Sequence, residues 1–169
     1  MKLLLHTIVI ITLLSTLYSC SSDHAELQNV ETSKSFIKDV AAYSYDSHEY
    51  TALELINAHR LTKGLDKLEK INYLSKKSEE HNSYMIANEV VSHDGFISRS
   101  ESIKKVLSAT VVGENIAYNY STPQSALAAW LASPGHKDNI EGNYTHFGIA
   151  ITEDPDTGNK YYTNIFAKI

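Results

Sequence analysis

Two imidazoles and a carboxylate stand on three short polar strings, Ser92-His93-Asp94-Gly95, Gly113-Glu114-Asn115 and Ser133-Pro134-Gly135-His136, about twenty residues apart. Strings of this kind form turns, and turns held by a rigid scaffold are where binding and chemistry concentrate. Neutral imidazoles are good ligands for zinc and similar divalent ions, and two of them completed by water make an open site. Glu114 could hold a water there, or orient one ring as its hydrogen-bond acceptor. Two protein nitrogens without a third strong ligand predict weak, exchangeable occupancy that acid would abolish. The same residues could instead form a polar cleft in which they only hydrogen-bond one another and tie the loops together.

The segments that must position these groups are helical first and extended last. Apolar spacing through Leu53, Ile56 and Arg60, with Gly64 as a stop, predicts a helix over residues 48–63. A one-sided stripe of Leu74, Ser78, His81 and Met85 predicts a second over 72–88, with His81 as a hydrogen-bonded core histidine rather than a ligand. Residues 100–108 read as a third, shorter helix. A fourth begins with Thr122 as cap and Pro123 in the first turn, buries Trp130, and ends at Ser133-Pro134. Residues 146–152 and 161–167 read as strands around a hairpin-type loop at 154–158, and 111–120 as a further strand interrupted by a Gly-Glu-Asn turn. Large residues on both faces of the last strand require cover on both sides. The expected class is α+β, a three-layer α-β-α sandwich with an antiparallel sheet.

The ends of the chain carry other information. Lys2 followed by an apolar run over residues 3–17 reads as a secretory signal over 1–19, too short for a membrane span. Leu17-Tyr18-Ser19-Cys20 resembles a bacterial lipobox, which makes Cys20 the expected acylated lipid anchor. Cys20 is the single cysteine, so the exported domain has no disulfide of its own to lean on. Residues 20–46 read as a polar tether and 47–169 as the folded domain. A net charge of −5 argues against a nucleic-acid partner and against polybasic attraction to lipid. Membrane association is expected through N-terminal acylation, with the domain exported into the cell envelope, facing the periplasm or the outside.

Read in order, Asn57-x-x-Arg60, His81 with Met85, Ser92-His93, Gly113-Glu114-Asn115-Ile116-Ala117, Trp130-x-x-Ser133-Pro134-Gly135-His136-x-x-Asn139-Ile140 and Thr145-x-Phe147-Gly148-Ile149 resemble the SCP-like (CAP) superfamily. The likeness is to its disulfide-free bacterial branch and spans roughly residues 50–169. It implies an α-β-α sandwich and a cleft of two histidines and two acids. His93 fits the first histidine, Glu114 the first acid and His136 the second histidine. The place of the second acid, three residues after Trp130, is taken by Ser133, which cannot act as an anionic base. The family's links to sterol or lipid binding, host interaction and defence imply a binding module for a small ligand, lipid, glycan or protein partner. Two other readings stay open. One is a metal-dependent or His-assisted hydrolase, for which Ser133 near His136 is a poor nucleophile pair and the second carboxylate of a glycosidase is missing. The other is a structural or adhesive surface protein with a vestigial cleft.

Overall fold

The computed structural model describes residues 43–169. The expected signal segment, the expected lipid anchor Cys20 and most of the expected tether lie outside the described residues. The last four tether residues, 43–46, are engaged by the domain. Tyr45 Oη lies 2.8 Å from Ser75 Oγ, and Tyr43 Oη donates to Glu49 Oε1 at 2.6 Å.

Helix α1, Ser47–Thr62, starts with a capping box. Asp46 accepts from the Glu49 N–H at 2.7 Å, and the Glu49 carboxylate accepts from the Asp46 N–H at 3.0 Å. Glu49 is buried and also accepts from the Ile151 N–H, so one carboxylate caps the helix and fastens it to the sheet. Burial raises its pKa above the usual carboxylate range. The helix buries Ala52, Leu53 and Ile56 and stops where Gly64 takes φ +70°. After the two-residue strand β1, Glu69–Lys70, helix α2 spans Asn72–Ala87 and buries the predicted stripe. Helix α3, Phe96–Leu107, begins four residues earlier than the apolar spacing indicates, because Gly95 at φ 72° supplies the left-handed turn into it. Strand β2, Val111–Tyr118, runs without a break. The expected Gly-Glu-Asn turn is therefore absent: Gly113, Glu114 and Asn115 are ladder residues opposite Phe166, Ile165 and Asn164. Helix α4, Pro123–Ala132, follows the Thr122 cap, and a short helix α5, Pro134–Ile140, succeeds it with Pro134 in its first turn. Strands β3, His146–Glu153, and β4, Lys160–Lys168, complete the chain as a hairpin.

The sheet order is β1-β3-β4-β2, with β3, β4 and β2 antiparallel and the short β1 added parallel to β3. One face packs Phe147, Ile149, Tyr162 and Phe166 against Leu53, Ile56, Trp130 and Ile140 of α1, α4 and α5. The other packs Ile165 and Ala167 against Tyr73 and Leu74 of α2 and Ile103 of α3. This is a three-layer α+β sandwich, and β4 is buried from Tyr161 to Ala167, as a strand apolar on both faces requires. Helix α2 lies so close that a Cβ on Gly148 would stand 2.3 Å from the Ser75 nitrogen.

Side chains engage part of the backbone at both margins of the sheet. The Asn57 amide donates to Leu68 O at 3.0 Å and accepts from Leu68 N at 2.8 Å. At β2 the Trp130 indole donates to Ile116 O at 2.8 Å and Asn139 to Glu114 O at 3.1 Å. Buried Arg60 donates to the carbonyls of Asp66, Ile140 and Gly142, binding the end of α5 to α1. The Asn57-x-x-Arg60 string is thus structural.

Candidate functional site

The site forms at edge strand β2 and draws on both helical layers. Glu114 shares its face of the sheet with the opposing Ile165, toward α2 and α3, whereas the next residue, Asn115, points to α5. The alternation of a strand thus sends neighbouring side chains to opposite sides. Asn115 donates to His136 O at 2.9 Å and accepts from Asn139 at 2.9 Å, fixing the helix that carries His136. Gly113 admits this packing, since a Cβ there would meet Tyr144 Oη at 2.4 Å and Asn139 Oδ1 at 2.7 Å.

On the other side, the α2–α3 loop carries His93. Buried His81 donates from Nε2 to Ser92 O at 2.8 Å and so anchors that loop one residue before His93. His81 is the hydrogen-bonded core histidine its place on the stripe predicts. Its Nδ1 has no partner among the described residues, and its pKa is lowered by burial and by the Arg99 guanidinium. His93 Nδ1 lies 2.9 Å from Glu114 Oε1, and Glu114's side chain is 1 % exposed against 48 % for His93. A carboxylate can only accept, so this nitrogen carries a proton, and in the neutral form of the ring Nε2 keeps its lone pair. The ring of His136 comes within 6.5 Å of that of His93, centroid to centroid, tilted by 36°. Burial, and then the neighbouring His93, lower the His136 pKa, which favours its neutral form.

His93, Glu114 and His136 therefore come together from three distant stretches of chain. Ser133 stands at the junction of α4 and α5, one helical turn before His136, and makes no side-chain cap to α5. The residue that spacing did not single out is Arg99. Its Nε and Nη2 engage both oxygens of Glu114 at 2.7–2.9 Å, and its Nη1 donates to Asp94 O at 3.0 Å. The signal was Gly95, which places the helix start far enough forward to put Arg99 on α3.

The donor set for a metal is thus two imidazoles. Glu114 is committed to Arg99 and His93, and among the described residues no group of three His, Cys, Asp or Glu is arranged to hold an ion. With Zn–N bonds of ~2.1 Å, a tetrahedral ion shared by both rings would bring their centroids to about 5 Å. That is shorter than the 6.5 Å between the rings, so sharing an ion would require one ring to move toward the other. The residues fit a weakly held ion completed by water, with Glu114 outside the coordination sphere.

The sequence matches the CAP, or cysteine-rich secretory protein, family over residues 53–166. The Bacillus subtilis (strain 168) protein YkwD is 32 % identical over 133 residues, which cover 76 % of this chain and 49 % of that protein. The chain thus spans about half the length of that relative. Among solved structures, an outer surface protein of Borrelia burgdorferi shares the fold with a TM-score of 0.65 at 21 % identity, covering 75 % of this chain and 97 % of that one. An extracellular SCP-domain protein of Bacillus anthracis superposes with a TM-score of 0.63 at 25 % identity, covering 72 % of this chain and 40 % of that one. A match across the whole sandwich, with His93, Glu114 and His136 drawn together in it, makes this chain a member of the CAP, cysteine-rich secretory protein, family.

Proposed function

We propose that this chain is a lipid-anchored, extracytoplasmic binding module whose paired imidazoles take up a divalent ion weakly and, through the open coordination positions, a small ligand or partner. The observation that carries this reading is the approach of the His93 and His136 rings to 6.5 Å from opposite faces of the sheet. His93 has Nδ1 committed to Glu114, and its Nε2 has no hydrogen-bond partner among the described residues. Placement outside the cytoplasm is supported by the extracellular Bacillus anthracis neighbour, and anchoring by the cysteine that closes the lipobox-like string.

His93 and His136 would hold the ion, and Glu114 would orient the first ring from behind. A bound ion would supply Lewis acidity to whatever oxygen or nitrogen group of the ligand completed its coordination. Catalysis is not part of this reading, because Ser133 stands where a second carboxylate would be needed and Glu114 is already held by Arg99.

Titration of the purified full chain with Co²⁺ and Zn²⁺ tests it. Saturable uptake of one ion per chain is expected, lost in His93→Ala, in His136→Ala and in the double variant. Unchanged uptake in the double variant would overturn the reading. Substituting Cys20→Ser should move the protein from the membrane to the soluble fraction, and retention on the membrane would remove the anchor from the proposal.

A further inference from the structure

Glu114 has two oxygens and almost no contact with solvent, so its orientation depends on the donors around it. Arg99 supplies most of them. Nε donates to Oε2 at 2.9 Å, and Nη2 to Oε1 at 2.8 Å and Oε2 at 2.7 Å. This two-point contact fixes the plane of the carboxylate, which a point charge could not do. The third nitrogen of the same guanidinium holds Asp94 O at 3.0 Å, on the residue after His93. One side chain therefore fixes both the acceptor for His93 and the backbone beside it.

Among the described residues, only Arg99 and His93 donate to the Glu114 carboxylate. His81 Nε2 is 4.0 Å from Glu114 Oε1 and gives its N–H to Ser92 O at 2.8 Å. The His93 ring is half exposed and, among the described residues, has no hydrogen bond other than the one to Glu114, while the His93 carbonyl accepts from the Phe96 N–H at 3.0 Å.

We propose that Arg99 is the positioning residue for the His93 imidazole. By clamping Glu114 it presents Oε1 to His93 Nδ1–H and so selects the tautomer whose Nε2 lone pair is free for a ligand shared with His136. This rests on reading the two rings as paired donors. It goes further in assigning the geometry of one ring to a residue that touches neither the ion nor His136.

The test uses the full chain, ¹⁵N-labelled, metal-free and in detergent, with long-range proton–nitrogen spectra that report the tautomer of each imidazole. In the parent, His93 should carry its proton on Nδ1. In Arg99→Lys, which keeps the charge but not the two-point contact, and in Arg99→Met, His93 should become a mixture of tautomers while His81 keeps its Nε2 proton. Co²⁺ affinity should fall about tenfold or more in both, the scale seen when the group orienting a metal ligand is removed. A purely structural Arg99 would shift the melting temperature without altering the His93 tautomer. A single Nδ1–H tautomer for His93 in both variants, with Co²⁺ affinity within about twofold of the parent, would overturn the proposal. If Arg99→Met does not fold, Arg99→Lys decides by the same measurements, with the His81 signal reporting an intact loop. Should the parent bind no Co²⁺ while the His93 tautomer still depends on Arg99, the paired-donor reading falls and the positioning role stands.

Discussion

Two imidazoles are held below their ordinary pKa of 6.5, His81 by burial and the Arg99 guanidinium, His136 by burial and by His93. Each is neutral in the fold at a pH where the unfolded chain already binds a proton. Unfolding is therefore favoured as pH drops through the window that opens at about 6.5 and extends down to the lower folded values. In metal-free buffer the melting temperature should fall between pH 7.5 and pH 5 as a result. His81→Gln should flatten that slope, and an unchanged slope would show that the buried ring does not control it. Ion occupancy should drop over the same acid range, because an imidazolium has no lone pair to give. The residues that meet at the site were legible from their types and their turn-like strings. Arg99 was not, because its importance comes from a carboxylate fifteen residues away that faces it only once β2 is paired.

At the scale of elements, α5 and β2 act as one support. Asn115 holds the His136 carbonyl and is itself held by Asn139, so a strand residue and a helix residue brace each other. Asn115→Ala should cost about 1–2 kcal/mol by taking a partner from the half-buried His136 carbonyl and Asn139 amide. It should also weaken Co²⁺ binding more than an equally destabilising change on α1, as paired melting and titration experiments would show. Gly148→Ala should lose about 2–3 kcal/mol in denaturant unfolding, since a methyl group would press on the backbone of α2 at Ser75. The helices and the hairpin could be read from period and caps, and Thr122 with Pro123 marks the start of α4 as its sequence indicates. Gly113-Glu114-Asn115 misled because Gly and Asn are turn formers by local preference. Here the glycine serves close approach to Tyr144, and the asparagine serves a contact across layers. Helix α5 was hidden because Pro-Gly opens it, a pair that ordinarily marks a turn.

At the scale of the molecule, the domain stands without a disulfide on two hydrophobic layers around one sheet, and Trp130 anchors the larger of them. The residue is 2 % exposed and its indole N–H is spent on Ile116 O. Trp130→Ala should destabilise by about 3–5 kcal/mol in denaturant melts and leave Ile116 O without its donor. The layer order was legible because β4 is apolar on both faces. The sheet's short parallel strand was not, since two residues carry no period.

The amide of Asn57 treats Leu68 as a neighbouring strand would, giving and taking one bond, while Trp130 and Asn139 occupy outward carbonyls at the opposite border. A protein tethered to a membrane surface, as proposed for this one, is concentrated against its own copies, where open ribbons would zip into fibrils. Here two outward carbonyls of β2 and the backbone of Leu68 are already engaged from within, so crowded copies meet fewer open backbone groups on which to start pairing.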